Sequence, residues 1–353
     1  MDDDIQLDVT GPVLVVGGYG TVGGDLARLA APSWPLLLTG RSPERGRALA
    51  EEVGASVRRW DLGDPEPFSA RVRAVISTVN DPDDRVLRAA LRGGVPYVDI
   101  TRWTARLQRA AAITALTPPK APVLLSSSWM GGVSALVAAA LAADLGGAAA
   151  VEVAIRYDLK DRAGTDSVEF MDRLGLDFEV MEDGQWRMIM PLSDAGYVTI
   201  GAHRTKVARI DTPEQFTLPL TLGVDTAVTR IGFSANSSTS ALLALKKTGF
   251  FRWGRGDRLE SVRRSLLYSP GEGGEALLRI DVRGRDGGRR TAMVRDTAGQ
   301  AHLTALGGLL GLRRVLGEDG SPAPEGVVFA EQTPSPREVV PALEKAGVEV
   351  TVS

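Results

Sequence analysis

The sequence predicts an α/β protein in which a doubly wound parallel sheet is joined by an inserted α+β domain with a mainly antiparallel sheet. Three observations carry this. Between residues 12 and 126 short apolar runs alternate with amphipathic segments; after about residue 148 strand-like stretches follow one another with little helix; the last stretch returns to alternation. The expected divisions are 1–127, 128–297 and 298–353, the last segment packing back on the first.

Six strands are expected in the first part, at 13–17, 35–40, 55–61, 73–79, 96–100 and 121–126. Amphipathic segments separate them, among them SPERGRALAEEVG, with Ser42 as N-cap and Pro43 at the first helical position. In the middle part AVEVAIRYDL, QWRMIMPL, YVTIG, TKVARI and FTLPLTLGV read as strands, and ALLRIDVRGRDGGRRTAMVRD reads as a hairpin turning at Asp286-Gly287. Helices are expected at 240–254 and 256–268. The tail reads as a long helix, a strand (GVVFAE), a short capped helix and a final strand.

A chain of 353 residues with 44% hydrophobic and 24% charged residues has the composition of a globular protein large enough for two cores. A net charge of −3 gives no overall attraction to nucleic acid or anionic lipid. With no cysteine, disulfides and thiolate chemistry are excluded, and a reducing, cytoplasmic setting is the expectation. The start, MDDDIQLDVTG, lacks the basic and apolar segments of an export signal. The alanine-rich stretch 131–150 carries Asp144 and several glycines, which suits a buried helix better than a membrane span.

The motif Gly18-Tyr19-Gly20-Thr21-Val22-Gly23 directly follows the first strand and opens a helix. In that context it is the dinucleotide-binding turn of a Rossmann fold, with the helix N-terminus facing a pyrophosphate. An NAD-preferring fold places an acidic residue at the end of the second strand, on the ribose 2′-hydroxyl. Here the strand ends LLLTGRS, and Thr39, Arg41 and Ser42 stand where a 2′-phosphate would lie. The guanidinium fork of Arg41 suits that dianion, so NADP (NADPH) is the expected cofactor. Asp61, followed by Leu62, is placed either to reach the adenine amino group or to cap the next segment. Ser77, Thr78 and Val79, ending the fourth strand, border the nicotinamide half.

No tyrosine precedes a lysine by four residues, so short-chain reductase chemistry lacks its pair. His203 and His302 stand in no recognised metal-ligand spacing, so no metal is expected. What remains is hydride transfer, in which the protein orients the substrate and manages a proton. Tyr97 and Asp99, at the end of the fifth strand, are the catalytic candidates, provided burial raises the carboxyl toward neutrality. Asp99 as a helix cap and Tyr97 as packing is the competing reading.

These segments together, VLVVGGYGTVG, LLLTGRSPERGRALAEEVG, AVISTVNDPDDRVLRAALRGGVPYVDIT and HLTALGGLLGLRRVLG with its following strand, resemble the saccharopine dehydrogenase-like reductases. The likeness covers roughly half the chain, the first part and the tail. It implies a Rossmann domain completed by the tail, an inserted domain carrying dimer contacts and substrate site, and NAD(P)-linked imine reduction or secondary-amine oxidation. It also implies a homodimer acting on a small molecule, with Gly18, Gly20, Gly23 and Arg41 on the cofactor and Tyr97 and Asp99 at the active-site edge. Trp129 and Met130 depart from the family's Gly-Pro-Gly-like turn.

Three functions follow as alternatives. The first is an NADP-dependent reductase of an imine, or oxidase of a secondary amine, on an amino-acid-like substrate whose carboxylate calls for arginine: Arg102, Arg162, Arg204 or Arg230, with His203 as a second-domain acid. The second is a carbon–carbon or carbonyl double-bond reductase, with Trp103, Trp129 and Met130 forming an apolar pocket. The third is a non-enzymatic NADP sensor, favoured if Tyr97 and Asp99 are buried away from the nicotinamide.

Overall fold

A computed structural model describes residues 3–161, 173–253, 271 and 273–353. Its contacts divide the chain into two units, one of residues 1–133 with 304–334 and one of residues 134–303 with 335–353. Arg162 and the helix expected at 256–268 lie outside the described residues.

The first unit runs β1 (Asp4–Leu7), β2 (Val13–Val16), α1 (Thr21–Ala30), β3 (Leu36–Gly40), α2 (Arg47–Val53), β4 (Ser56–Arg59), β5 (Ser69–Val72), β6 (Ala74–Ser77), α3 (Arg85–Gly93), β7 (Tyr97–Asp99), α4 (Thr104–Leu116) and β8 (Val123–Leu125). The short runs VLVV, AVIS and VLL are buried at every residue, as strands covered on both faces must be. α3 buries Val86, Leu87, Ala89, Ala90 and Leu91 and turns Arg88 and Arg92 outward, while Arg85 at its start pairs with the buried Asp3. The segment after Ser42 is a 3-10 turn, Pro43–Gly46, ahead of α2, and the Ser42 side chain makes no capping bond. β1 and β5, which the sequence reading missed, pair in parallel as a separate two-stranded sheet. Their alternation is masked by charged residues, because the pattern of β1 buries only Ile5.

The second unit runs α5 (Val133–Asp144), β9 (Ala150–Tyr157), β10 (Phe178–Glu182), β11 (Gln185–Ile189), β12 (Gly196–Ile200), β13 (His203–Arg209), α6 (Glu214–Thr221), β14 (Thr226–Phe233), α7 (Asn236–Lys247), α8 (Phe250–Trp253), β15 (Ala276–Arg283) and β16 (Arg289–Asp296). α9 (Gln300–Leu316) follows, then β17 (Val327–Phe329), α10 (Val339–Lys345) and β18 (Glu349–Val352). Two seven-stranded sheets result. The first has the order β17-β8-β7-β6-β2-β3-β4, all parallel; the second has the order β12-β13-β14-β9-β15-β16-β18, antiparallel except at β14-β9. The chain leaves β2 toward β3 and β4 and returns to build outward from β6, so the switch point lies between β2 and β6.

Two expectations are corrected. FTLPLTLGV is not a strand; its first part belongs to α6. The apparent alternation misleads because the polar residues go inward: Glu214, Gln215 and Thr217 are buried with Leu218. Gln215 donates to the Ile210 carbonyl at 2.7 Å and accepts from the Thr229 N–H at 2.9 Å, completing the edge of β14. The tail is also divided: β17 joins β8 of the first sheet, whereas β18 pairs antiparallel with β16 of the second. The strand β14 itself was not anticipated. The stretch 131–150 forms α5, buried along nearly its whole length, and among the described residues no helix is long and apolar enough to cross a membrane.

From Thr304 onward α9 belongs to the first unit, where it packs closely on the 130–131 turn. A methyl group on Gly307 would stand 2.4 Å from the Gly131 carbonyl oxygen and 2.8 Å from that of Met130. Backbone atoms cannot rotate away, so overpacking of about 1–3 kcal/mol outweighs the roughly 1 kcal/mol of helix propensity that alanine adds. Gly307→Ala is expected to lower the Tm by a few degrees in thermal denaturation. A Tm at or above that of the wild type would mean that the 130–131 turn yields.

Candidate functional site: the glycine turn and a buried ion cluster

β2 ends at Val16, and the turn that follows is set by glycine. Gly17 has φ +81°, and a Cβ there would lie 2.2 Å from Val79 Cγ1. A Cβ on Gly23 would lie 2.1 Å from the Gly17 carbonyl oxygen. The left-handed residue is thus Gly17, one position before the motif to which the sequence reading assigned the tight turn. Gly20 is the N-cap of α1, with no side chain capping the helix, and both Gly20 and Thr21 are exposed. The first-turn N–H groups at Thr21 and Val22 have no intrahelical acceptor, so they suit a diphosphate. On this ground the residues fit the dinucleotide that the motif implies.

The expected cofactor residues divide by exposure. Arg41 is exposed just beyond β3 and makes no hydrogen bond or ion pair among the described residues. Thr39 is fully buried, its hydroxyl 3.4 Å from the Val15 carbonyl, so its side chain is withdrawn from any 2′-phosphate. Its carbonyl accepts the Gly17 and Gly18 N–H groups at 2.9 and 3.1 Å. Tyr19 is half-buried, and its hydroxyl accepts the Ser42 N–H at 3.0 Å. Asp61 neither opens a helix nor stands free: it accepts the Gly63 N–H at 3.1 Å, and the Asp61 and Leu62 carbonyls accept from Arg85. Ser77 and Thr78 are buried, with hydroxyls donated to the Val79 and Val16 carbonyls; Val79 is half-buried.

At the end of β7 the structure brings Tyr97, Asp99 and Arg102 into one buried cluster, with relative exposures of 0, 1 and 4%. Asp99 Oδ2 accepts from the Tyr97 hydroxyl and from Arg102 Nε at 2.8 Å. Asp99 Oδ1 accepts the Thr101 N–H at 3.0 Å and lies 3.2 and 3.4 Å from the Thr101 and Ser127 hydroxyls. Arg102 Nη1 pairs with Asp84, which also binds Arg109. Burial alone would lower the Arg102 pKa, but Asp99 and Asp84 more than offset it and hold the guanidinium charged. Burial, reinforced by Asp99, pushes the Tyr97 phenol well above its ordinary value. Asp81, nearby in sequence, is likewise raised by burial against the Val86 and Arg85 N–H groups.

This cluster bears on two expectations. Arg102 is engaged by two carboxylates through Nε and Nη1, while its Nη2 is buried without a hydrogen-bond partner, so its first commitment is to the protein's own acids. Asp99 and Tyr97, the candidates for handling a proton, are both buried, with their oxygens turned to Arg102, Thr101 and each other. Asp84 and Arg109 were missed; the acidic run NDPDDR before α3 was the signal for Asp84, with capping its commoner meaning, and Arg109 had none.

The other candidates are dispersed. Trp103 carries the Arg106 guanidinium at 3.9 Å over its ring. Trp129 is half-buried, and Met130 is buried with φ +57° and its sulfur 3.7 Å from the Thr304 hydroxyl. His203 and Arg204 belong to the second unit. They are exposed and leave β13 on opposite faces, His203 Nε2 lying 3.9 Å from Glu275 and Arg204 stacking on Tyr197 at 4.5 Å. Arg230 pairs with Glu152 and Asp194. His302 Nδ1 lies 2.7 Å from the buried Asp296, a pair the sequence reading did not single out.

Removing one partner from a buried ion cluster leaves an uncompensated charge, at a cost of about 3–5 kcal/mol. Arg102→Ala is expected to destabilise the protein by that order in urea denaturation. A loss below about 1 kcal/mol would mean that water enters and solvates Asp84 and Asp99.

No family model matches the sequence, and no curated protein matches it. Among solved structures, the apo saccharopine dehydrogenase (L-Glu forming) of Saccharomyces cerevisiae is similar with a TM-score of 0.64 and 13% identity, over 97% of this chain and 99% of that one. The scyllo-inositol dehydrogenase of Lactobacillus casei, with bound NAD(H) and scyllo-inositol, aligns with a TM-score of 0.46 and 11% identity over 97% and 99%. The chain therefore has the two-part fold of the yeast enzyme: a Rossmann sheet and a second, mainly antiparallel sheet.

Proposed function

We propose that this protein is an NADP-dependent oxidoreductase that reduces an imine, or oxidises a secondary amine, of an amino-acid-like substrate. The observation that carries the cofactor choice is Arg41: an exposed, uncommitted guanidinium beyond β3, where no acidic residue stands to hold a ribose 2′-hydroxyl. The substrate class is supported by the fold shared with an enzyme named for saccharopine.

NADPH, when bound, supplies the hydride. The N–H groups of Thr21 and Val22 hold the diphosphate, with Gly18, Gly20 and Gly23 leaving room for it, and Arg41 binds the 2′-phosphate. Tyr97 and Asp99 act in this reading as positioning residues. Asp99 holds Thr101, whose hydroxyl lies 3.0 Å from the Val79 carbonyl, and Val79 packs against the glycine turn at the switch point. The cluster thus fixes the wall beside which the nicotinamide half binds.

A second reading, a non-enzymatic NADP sensor, is favoured by the burial of Tyr97 and Asp99. The two are separated by following NADPH oxidation with a panel of keto acids plus amines, against enones. Turnover with keto acid plus amine is expected; tight NADPH binding without turnover of either class supports the sensor and overturns the enzyme.

Losing hydrogen bonds to a charged group costs about 1.5–3 kcal/mol, so Arg41→Ala should weaken NADPH roughly 10- to 100-fold. NADH binding should change by less than about twofold, since an exposed arginine has no such contact with an unphosphorylated ribose. Equal weakening of both cofactors in a fluorescence titration would sink the 2′-phosphate assignment.

A further inference from the structure

We propose that Tyr19 is a specificity-determining residue for the 2′-phosphate, locking the 41–46 loop so that Arg41 and a second cation, Arg45, are presented together. The inference rests on the NADP reading above and adds to it how the loop is held and which second residue binds.

The tyrosine sits in a slot that two glycines make. A Cβ on Gly40 would lie 2.5 Å from the Tyr19 hydroxyl oxygen, and a Cβ on Gly46 would lie 2.6 Å from its Cδ1. The ring therefore passes between the last residue of β3 and the last residue of the 3-10 turn, and only glycine at each position admits it. At the far end of the slot the hydroxyl accepts the Ser42 N–H at 3.0 Å. One side chain from the glycine turn thus holds both ends and the middle of the segment that carries Arg41, Glu44 and Arg45.

The charges around the hydroxyl point the same way. Burial raises the Tyr19 phenol above its ordinary value, so it stays protonated; Glu44 adds to this, while Arg45 and Arg41 act against it from close by. The two arginines are exposed, and their side chains make no ion pair or hydrogen bond among the described residues; Arg45 bonds only through its N–H, to the Ser42 carbonyl at 3.1 Å. Having accepted the Ser42 N–H, the neutral phenol keeps one O–H to donate. Two uncommitted guanidinium groups and a phenol donor on a rigid loop suit a phosphate dianion; a bare ribose hydroxyl needs none of them. The charge of Glu44 opposes the dianion, which makes the second arginine necessary rather than redundant.

The test is the dissociation constants of NADPH and NADH for the full-length protein and four variants, with folding checked by thermal denaturation. Tyr19→Phe keeps the ring and removes the hydroxyl. It is expected to weaken NADPH by about three- to tenfold, the worth of one hydrogen bond, and to leave NADH within about twofold. Gly46→Ala, at a backbone conformation that alanine adopts (φ −91°), pushes the ring from the slot without touching the hydroxyl and should act in the same direction. Arg45→Ala should be selective for NADPH as Arg41→Ala is. If Arg41→Ala is selective while Tyr19→Phe and Gly46→Ala weaken both cofactors equally or neither, the Tyr19 inference alone is overturned. If the wild type does not prefer NADPH and Arg41→Ala is unselective, the NADP reading fails and takes this inference with it.

Discussion

The end of β2 and the first turn of α1 approach so closely that no side chain fits between them, and much of the first unit follows from that contact. A Cβ on Gly23 would meet the Gly17 oxygen at 2.1 Å, and one on Gly17 would meet Val79 at 2.2 Å. Because the helix starts on top of the strand end, its unsatisfied N–H groups open outward instead of being covered by a side chain. The same turn is bonded to its neighbours on both sides. Gly17 and Gly18 both donate to the Thr39 carbonyl, which ties the turn to the end of β3 and so to the loop carrying Arg41. On the other side Val79 packs against Gly17, and its carbonyl accepts from Ser77 and lies 3.0 Å from the Thr101 hydroxyl, next to the buried cluster on β7. A methyl at one glycine would therefore disturb the ends of β3, β6 and β7 together.

Arginine is used in two opposite ways around this turn. Arg102 is taken out of water and is tolerated there because Asp99 and Asp84 offset its desolvation; this fixes the geometry of the cluster and commits Nε and Nη1 to the protein's own carboxylates. Arg41 and Arg45 remain in water, where a charge contributes little to stability and stays available to a ligand. Residue type alone does not distinguish the two uses. What distinguishes them is whether carboxylates are within reach, and in Arg102 one of these, Asp84, comes from 18 residues away.

The parallel sheet was legible because each of its strands is a short apolar run bounded by turns, and the glycine motif because it stands between a strand and a helix. Legibility failed where polar residues point inward. α6 alternates like a strand, yet Gln215 and Glu214 are buried and bonded to β14, which only the folded arrangement reveals. The fate of β18 was illegible for another reason: a four-residue strand with three residues exposed and none buried carries no mark of which sheet it will join. In the candidate site, the composition of PYVDITRW allows both a catalytic edge and a self-satisfying cluster, because ionisable and phenolic groups so close in sequence can bond one another, and their burial is visible only in the folded arrangement.

The substrate side can be narrowed by the same reasoning about commitment. A carboxylate ligand needs a cation whose present partners are worth less than the new bond. Arg102 is buried between two carboxylates, and Arg230 lies between Glu152 and Asp194. Arg204 is held only by stacking on an exposed tyrosine, an interaction worth about 0.5–1 kcal/mol at such sites, below a charge-assisted hydrogen bond. It also leaves β13 on the face opposite His203, so the two side chains diverge. If an arginine among the described members of this set binds substrate, Arg204 is the one whose release costs least.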